Sequence, residues 1–130
     1  MSKRKLVSCW IAIFVAIGLF ISIGYHYWTR GVYISITNNT QDVFKVINIS
    51  YTGGIIRIAK LEPKTSYGQR INPIGESGLK LGWLDSSGVK QSQKIEVYFE
   101  HNYTGSVGIM IEAGNRVSVT NRIRLGPWPL

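Results

Sequence analysis

Residues 79–99 read LKLGWLDSSGVKQSQKIEVYF, and this stretch decides the fold class. Leu79, Leu81 and Trp83 alternate along its first part. Ile95, Val97 and Phe99 alternate with Lys94, Glu96 and Tyr98 along its second. A period of two sends each set to one face of an extended strand. Between them, Asp85-Ser86-Ser87-Gly88 supplies residues that favour a turn. Strands with one apolar and one polar face, joined by a short turn, are the unit of an antiparallel sheet that is wet on one side.

The same pattern extends in both directions. Val32, Ile34 and Ile36 share one face, and the polar run Asn38–Asp42 turns the chain. Val43–Tyr51 is apolar on both faces, as in a central strand. Gly53-Gly54 makes a hairpin to Ile55–Lys60, and Pro63-Lys64 precedes a short strand at Ser66–Ile71. After a loop at Asn72–Gly78 and the stretch quoted above, Asn102–Gly105 turns the chain again. Val107, Ile109 and Ile111 alternate, and Gly114-Asn115 leads to a last strand from Val117 to about Leu125. Eight short strands with regular turn signals predict an all-β domain over 31–130: an immunoglobulin-like antiparallel β-sandwich, with a small β-barrel as the alternative. The Cys–Trp–Cys spacing of true immunoglobulin domains is absent, so the expectation concerns architecture.

The other end of the chain is different. Residues 6–24 contain no charge, and at 1.5 Å per residue they span about 28 Å, the thickness of a bilayer core. Lys3, Arg4 and Lys5 precede the run, only Arg30 closely follows it, and Trp10, Tyr25, Tyr27 and Trp28 stand near its ends. The positive-inside rule and the interfacial preference of aromatic rings give a predicted organisation. Residues 1–5 form a cytoplasmic basic tip, 6–28 a transmembrane signal-anchor helix, and 31–130 the extracytoplasmic domain. A cleaved signal peptide competes, with Ser22-Ile23-Gly24 offering small residues at a cleavage site, but the run is longer than a usual h-region. Leu6-Val7-Ser8-Cys9 has the letters of a lipobox, yet its apolar stretch follows the cysteine. Cys9 reads as an apolar filler.

With Cys9 the only cysteine, the domain has no disulfide, which favours a bacterial inner-membrane protein with a periplasmic domain over a eukaryotic ectodomain. Asn38, Asn48 and Asn102 begin Asn-x-Ser/Thr sequons, which would mark surface positions only in a secretory lumen. The formal net charge is +8, but Lys3, Arg4, Lys5 and Arg30 flank the apolar run. The remaining 11 basic residues face seven acidic ones. That balance suits solubility and gives no reason to expect a nucleic-acid partner.

Catalytic inventories are thin. His26 is at the membrane edge, His101 stands in a turn, and no Gly-x-Ser-x-Gly elbow or phosphate-binding glycine loop occurs. Glu96 and Glu100 read as a solvated strand face, and Asp42 and Asp85 as turn carboxylates that bond the backbone. No enzyme activity, cofactor, metal or small-molecule substrate is expected. The expected partners are the membrane, through residues 6–28, and another protein. Recognition is expected at loop residues Glu76, His101 and Tyr103 and at Arg116, Arg122 and Arg124 on the last strand. Together with Lys45, Arg57 and Lys60 in the early hairpin, those three arginines fit a basic stripe that meets anionic lipid head groups or an acidic protein surface, or else edge-strand protection. Tyr67, Tyr98, Tyr103 and Trp128 are candidate aromatic anchors. A membrane-anchored protein-binding domain is the function class these observations favour. A periplasmic immunity protein is one form of it by analogy, and a structural subunit of a cell-envelope complex is the alternative.

Overall fold

The computed structural model of the chain describes residues 2–28, with side chains to Tyr25, and residues 31–125. Arg30, the rings of Tyr27 and Trp28, the His26 side chain and the tail carrying Trp128 lie outside the described residues. The chain divides into two units, 1–30 and 31–130.

The first unit is a single helix, α1, Lys3–Trp28. Its Lys3–Tyr25 portion is long and apolar enough to cross a membrane. Apolar side chains emerge all round it, with Phe14 68 % and Phe20 77 % exposed, the pattern of a helix made for an apolar surround. The Ser8 hydroxyl donates to the Arg4 carbonyl at 3.0 Å, so its polarity is satisfied within the helix. Lys3, Arg4 and Lys5 occupy the first turn, where positive charge opposes the helix dipole. Helix stability therefore gives no account of them.

Among its described residues the second unit holds eight strands: β1 Gly31–Asn38, β2 Phe44–Tyr51, β3 Gly54–Leu61, β4 Ser66–Ile71, β5 Ser77–Leu84, β6 Lys90–Phe99, β7 Tyr103–Glu112 and β8 Arg116–Leu125. They form two four-stranded sheets, ordered β4-β1-β7-β8 and β3-β2-β5-β6. Both sheets keep free edges, so the domain is a sandwich and not a closed barrel. One feature departs from the sequence expectation. The sandwich is not wholly antiparallel, because β1 pairs with β7 in parallel from Gly31↔Thr104 to Asn38↔Ile111. A parallel pair needs a long crossover, and the chain makes it by building the entire second sheet between the two strands.

The inward faces form one core. Val32, Ile34, Ile36, Val107, Ile109 and Ile111 of the first sheet meet Ile47, Ile49, Leu81, Trp83, Ile95 and Phe99 of the second, each at most 3 % exposed. On β2 the apparent two-sided apolarity has a local cause. Val46 adopts φ 51°, a conformation strongly disfavoured for a β-branched residue. The pairing with β5 slips by one residue between Lys45 and Asn48. This bulge re-aims the strand, so that Phe44, Ile47 and Ile49 all point inward while Val46 is exposed. At the turn between β6 and β7, Asn102 (φ 82°) rather than Gly105 turns the chain, and β7 already begins at Tyr103. Gly105 is instead a strand residue (φ 109°) whose added Cβ would stand 2.0 Å from the Arg122 carbonyl oxygen.

Asn38 joins the sheets where β1 ends. It is fully buried, not the exposed acceptor that a sequon implies. Its Nδ2 donates to the Asp42 and Leu61 carbonyls at 2.7 and 3.1 Å, and its Oδ1 accepts from the Thr40 N–H and hydroxyl at 3.0 and 2.7 Å. Its backbone N–H bonds Thr65, and its carbonyl accepts from Lys64. Asp85 makes a second tie at the same end. One carboxylate oxygen accepts from the Ser87 and Val89 N–H groups at 3.0 and 2.9 Å. The other accepts from Gln91 at 3.1 Å and from Asn115, in the other sheet's turn, at 3.3 Å. The Val89 bond is the largest cause holding the Asp85 pKa below its usual value; desolvation opposes it, and the Gln91, Ser87 and Asn115 bonds reinforce it.

Three outcomes follow for residues 31–130 in chemical denaturation. Trp83→Ala lowers stability by about 3–5 kcal/mol. Trp83→Phe costs clearly less, since the Trp83 indole N–H is buried without a partner among the described residues and its removal loses no bond. Asn38→Ala costs about 2 kcal/mol or more by stranding buried carbonyls. Asp85 adds a pH dependence. Its lowered native pKa contributes stability that is full above the ordinary value of 3.8 and fades as pH falls through the native value. Thermal unfolding of wild type and Asp85→Asn should therefore differ at neutral pH and converge in acid.

Candidate functional site: a basic sheet face

The outer face of the second sheet collects positive charge in register. Lys60 lies opposite Lys45, Lys45 opposite Leu84, and Leu84 opposite Lys90. Farther along, Arg57, Asn48, Gly82 and Ser92 form a second row, and Ile55, Ser50, Lys80 and Lys94 a third. All six cationic side chains are exposed. Strands about 4.8 Å apart and rows about 7 Å apart per two residues give this face the size of a small docking surface. Acidic neighbours are few. Lys60 pairs with Glu62 at 2.5 Å, and Glu96 stands outward on β6. Among the described residues no carboxylate pairs with Lys45, Arg57, Lys80, Lys90 or Lys94.

Like charges directly opposite one another destabilise a sheet by a few tenths of a kcal/mol or more. The face has two such pairs, Lys45/Lys60 and Lys80/Lys94. Beside the second pair runs a groove of about 550 Å³, lined by Ser50, Tyr51, Thr52, Gly78, Leu79, Lys80 and Lys94. The Thr52 hydroxyl is committed to the Glu76 carbonyl at 2.8 Å, and its N–H to the Ser77 hydroxyl at 3.0 Å. These bonds fix the groove's end.

The residues expected from sequence are distributed differently. Arg116, Arg122 and Arg124 all lie on the outer face of β8, in the other sheet, but Arg116 sits opposite Glu112 and about 20 Å along the strand from Arg122. They form no single cluster. Glu76 and Tyr103 do come into one neighbourhood, around Tyr98. The Tyr98 and Tyr103 rings meet edge to face, with centroids 6.1 Å apart at 89°. The Tyr98 hydroxyl donates to Glu100, which, together with the nearby Glu76 charge, raises its pKa well above the phenol range. Glu100 thus belongs to the turn after β6 and not to a solvated strand face. His101 lies in the same turn, between Glu100 and Asn102. Of the six residues read from sequence as a basic stripe, Lys45, Arg57 and Lys60 lie on this face and Arg116, Arg122 and Arg124 on the other sheet, so they form no single stripe; Lys80, Lys90 and Lys94 were not among them. That positions 80, 90 and 94 are lysines on outward faces was readable from alternation, but only the pairing of β5 with β2 and β6 brings them beside the early hairpin.

A polar cleft of about 460 Å³ at the Asn38 end includes Asp42, Lys64, Asp85 and Glu112; of these, Lys64 is bonded to Asn39 and Asp85 to Asn115. Among the described residues no group of His, Cys, Asp and Glu side chains is placed to hold a metal. Compared with protein-family models, curated proteins and solved structures, the chain matches none.

Proposed function

We propose that this chain is a membrane-anchored, non-enzymatic module that binds an acidic partner protein through the basic face of its second sheet. In this reading α1 spans the inner membrane of a bacterium with Lys3–Lys5 in the cytoplasm, and the sandwich works in the periplasm. Neutralising a toxin there, as an immunity protein, is the role we put first, and the partner is then a toxin with an acidic surface.

One observation carries the reading: lysines stand on central strands as well as edges. Edge lysines discourage unwanted strand pairing, which accounts for Lys60 on β3 and for Lys90 and Lys94 on β6. Lys45 on β2 and Lys80 on β5 are interior to the sheet and have no edge to guard. They add repulsion to the free domain, which an acidic partner would relieve.

Two experiments test the proposal. A C-terminal alkaline phosphatase fusion should be active in bacteria, and a fluorescent protein exported there through the Sec route dark; the reverse pattern overturns the orientation. Full-length protein in mild detergent should retain a protein partner that Lys45→Glu/Arg57→Glu/Lys90→Glu loses by about tenfold or more, with an unchanged circular dichroism spectrum and a steep salt dependence. Equal retention by the variant removes the face from the mechanism.

A further inference from the structure

We infer that the groove beside Lys80 and Lys94 is a carboxylate seat for an extended acidic segment of the partner, an inference that rests on the basic-face reading above. Lys80 and Lys94 are directly opposite across β5 and β6, so their Cβ atoms stand about 5 Å apart and both ammonium groups reach one anion held between them. Ser50 lies directly opposite Lys80 on its other side, and among the described residues its hydroxyl has no hydrogen-bond partner. Two ammonium groups and one hydroxyl supply donors around a groove of about 550 Å³ whose lining residues include no carboxylate; Glu96, two residues along β6 from Lys94, pairs with neither lysine among the described residues. Gly78 at the groove edge has no side chain to fill it.

The rows set the spacing of the segment. Lys90 lies four residues from Lys94 on the same outward face of β6, about 13 Å along the strand. An extended chain also places its residues i and i+4 on one face about 13 Å apart. Acidic residues at i and i+4 of a segment running along β6 then reach Lys94 with Lys80 and, at the other end, Lys90. Exposed Ile55, opposite Ser50 in the same row, adds apolar surface at the far side of the basic seat. The face runs along the strands instead of capping one end, which suits a peptide better than a flat lipid surface.

The test uses the full-length chain in neutral detergent at physiological salt, with an oligoglutamate peptide as the probe and calorimetry as the readout. Lys80→Gln/Lys94→Gln should weaken binding by about tenfold or more, whereas Lys45→Gln/Arg57→Gln, which removes the same unpaired charge from the same face, should weaken it by about threefold or less. Equal weakening by both pairs overturns the groove and leaves the basic face standing. No weakening by either pair overturns both. Tighter binding of polyphosphate, or of phosphatidylglycerol vesicles to the nanodisc-embedded chain, than of the peptide overturns the carboxylate assignment. Circular dichroism confirms that each variant is folded.

Discussion

The buried amide of Asn38 is the point on which the sandwich depends. A chain that leaves one sheet for the other must bury polar backbone where the layers meet, and every such group needs a partner. Asn38 fills all four of its side-chain bonding positions there, two as donor and two as acceptor. Its own backbone meanwhile continues the pairing to Lys64 and Thr65 at the β3–β4 turn. The crossover and that turn are thus held as one piece. The parallel pairing of β1 with β7 continues one residue past the end of β1, where the Asn39 N–H bonds the Ile111 carbonyl at 2.9 Å. Asp85 repeats the device with charge, tying the β5–β6 turn to Asn115 across the layers.

Alternation made most of this fold legible. Ile34/Ile36, Leu79/Leu81 and Ile109/Ile111 report both the strands and their inward faces, because a period of two has no other use in a soluble sheet. Ser66–Ile71 matches β4 end to end. What alternation hid was the bulge: a strand with one residue in a left-handed conformation looks apolar on both sides when it is apolar on one. Asn38 was hidden for another reason. A polar residue at the end of a strand reads as a turn, and only the pairing of β1 with two neighbours reveals that the turn is inside. Strand order was equally invisible, since alternation says which face a residue takes but not which strand lies beside it.

The candidate site suffered from that last limit. Arg122 and Arg124 share a strand face and so looked like a cluster, while Lys80 and Lys45 are 35 positions apart and looked unrelated. Pairing of β2 with β5 puts them on adjacent strands of one face, two rows apart. A basic face built across four strands is a tertiary fact, and composition reported only its diluted trace, 11 basic residues against seven acidic ones.

The choice of cation bears on what such a face does. Five of its six positive residues are lysine and one is arginine. Lysine is a strongly hydrated point charge on a flexible stem, and immobilising it costs up to about 2 kcal/mol of side-chain entropy. Fixing several lysines at once would offset much of what their charge contributes in an exposed setting, where a single pair gives about 1 kcal/mol at most. The face as a whole is therefore better suited to steering an acidic partner toward the domain, quickly and with strong salt dependence, than to holding it. Holding calls for a place where few side chains are fixed and several donors act together. On this face the groove at Ser50, Lys80 and Lys94 is where the geometry concentrates donors in that way. The strands beneath it are kept in place by the Thr52 bonds to Glu76 and Ser77, so the backbone is ordered before any partner arrives and binding need order only the side chains.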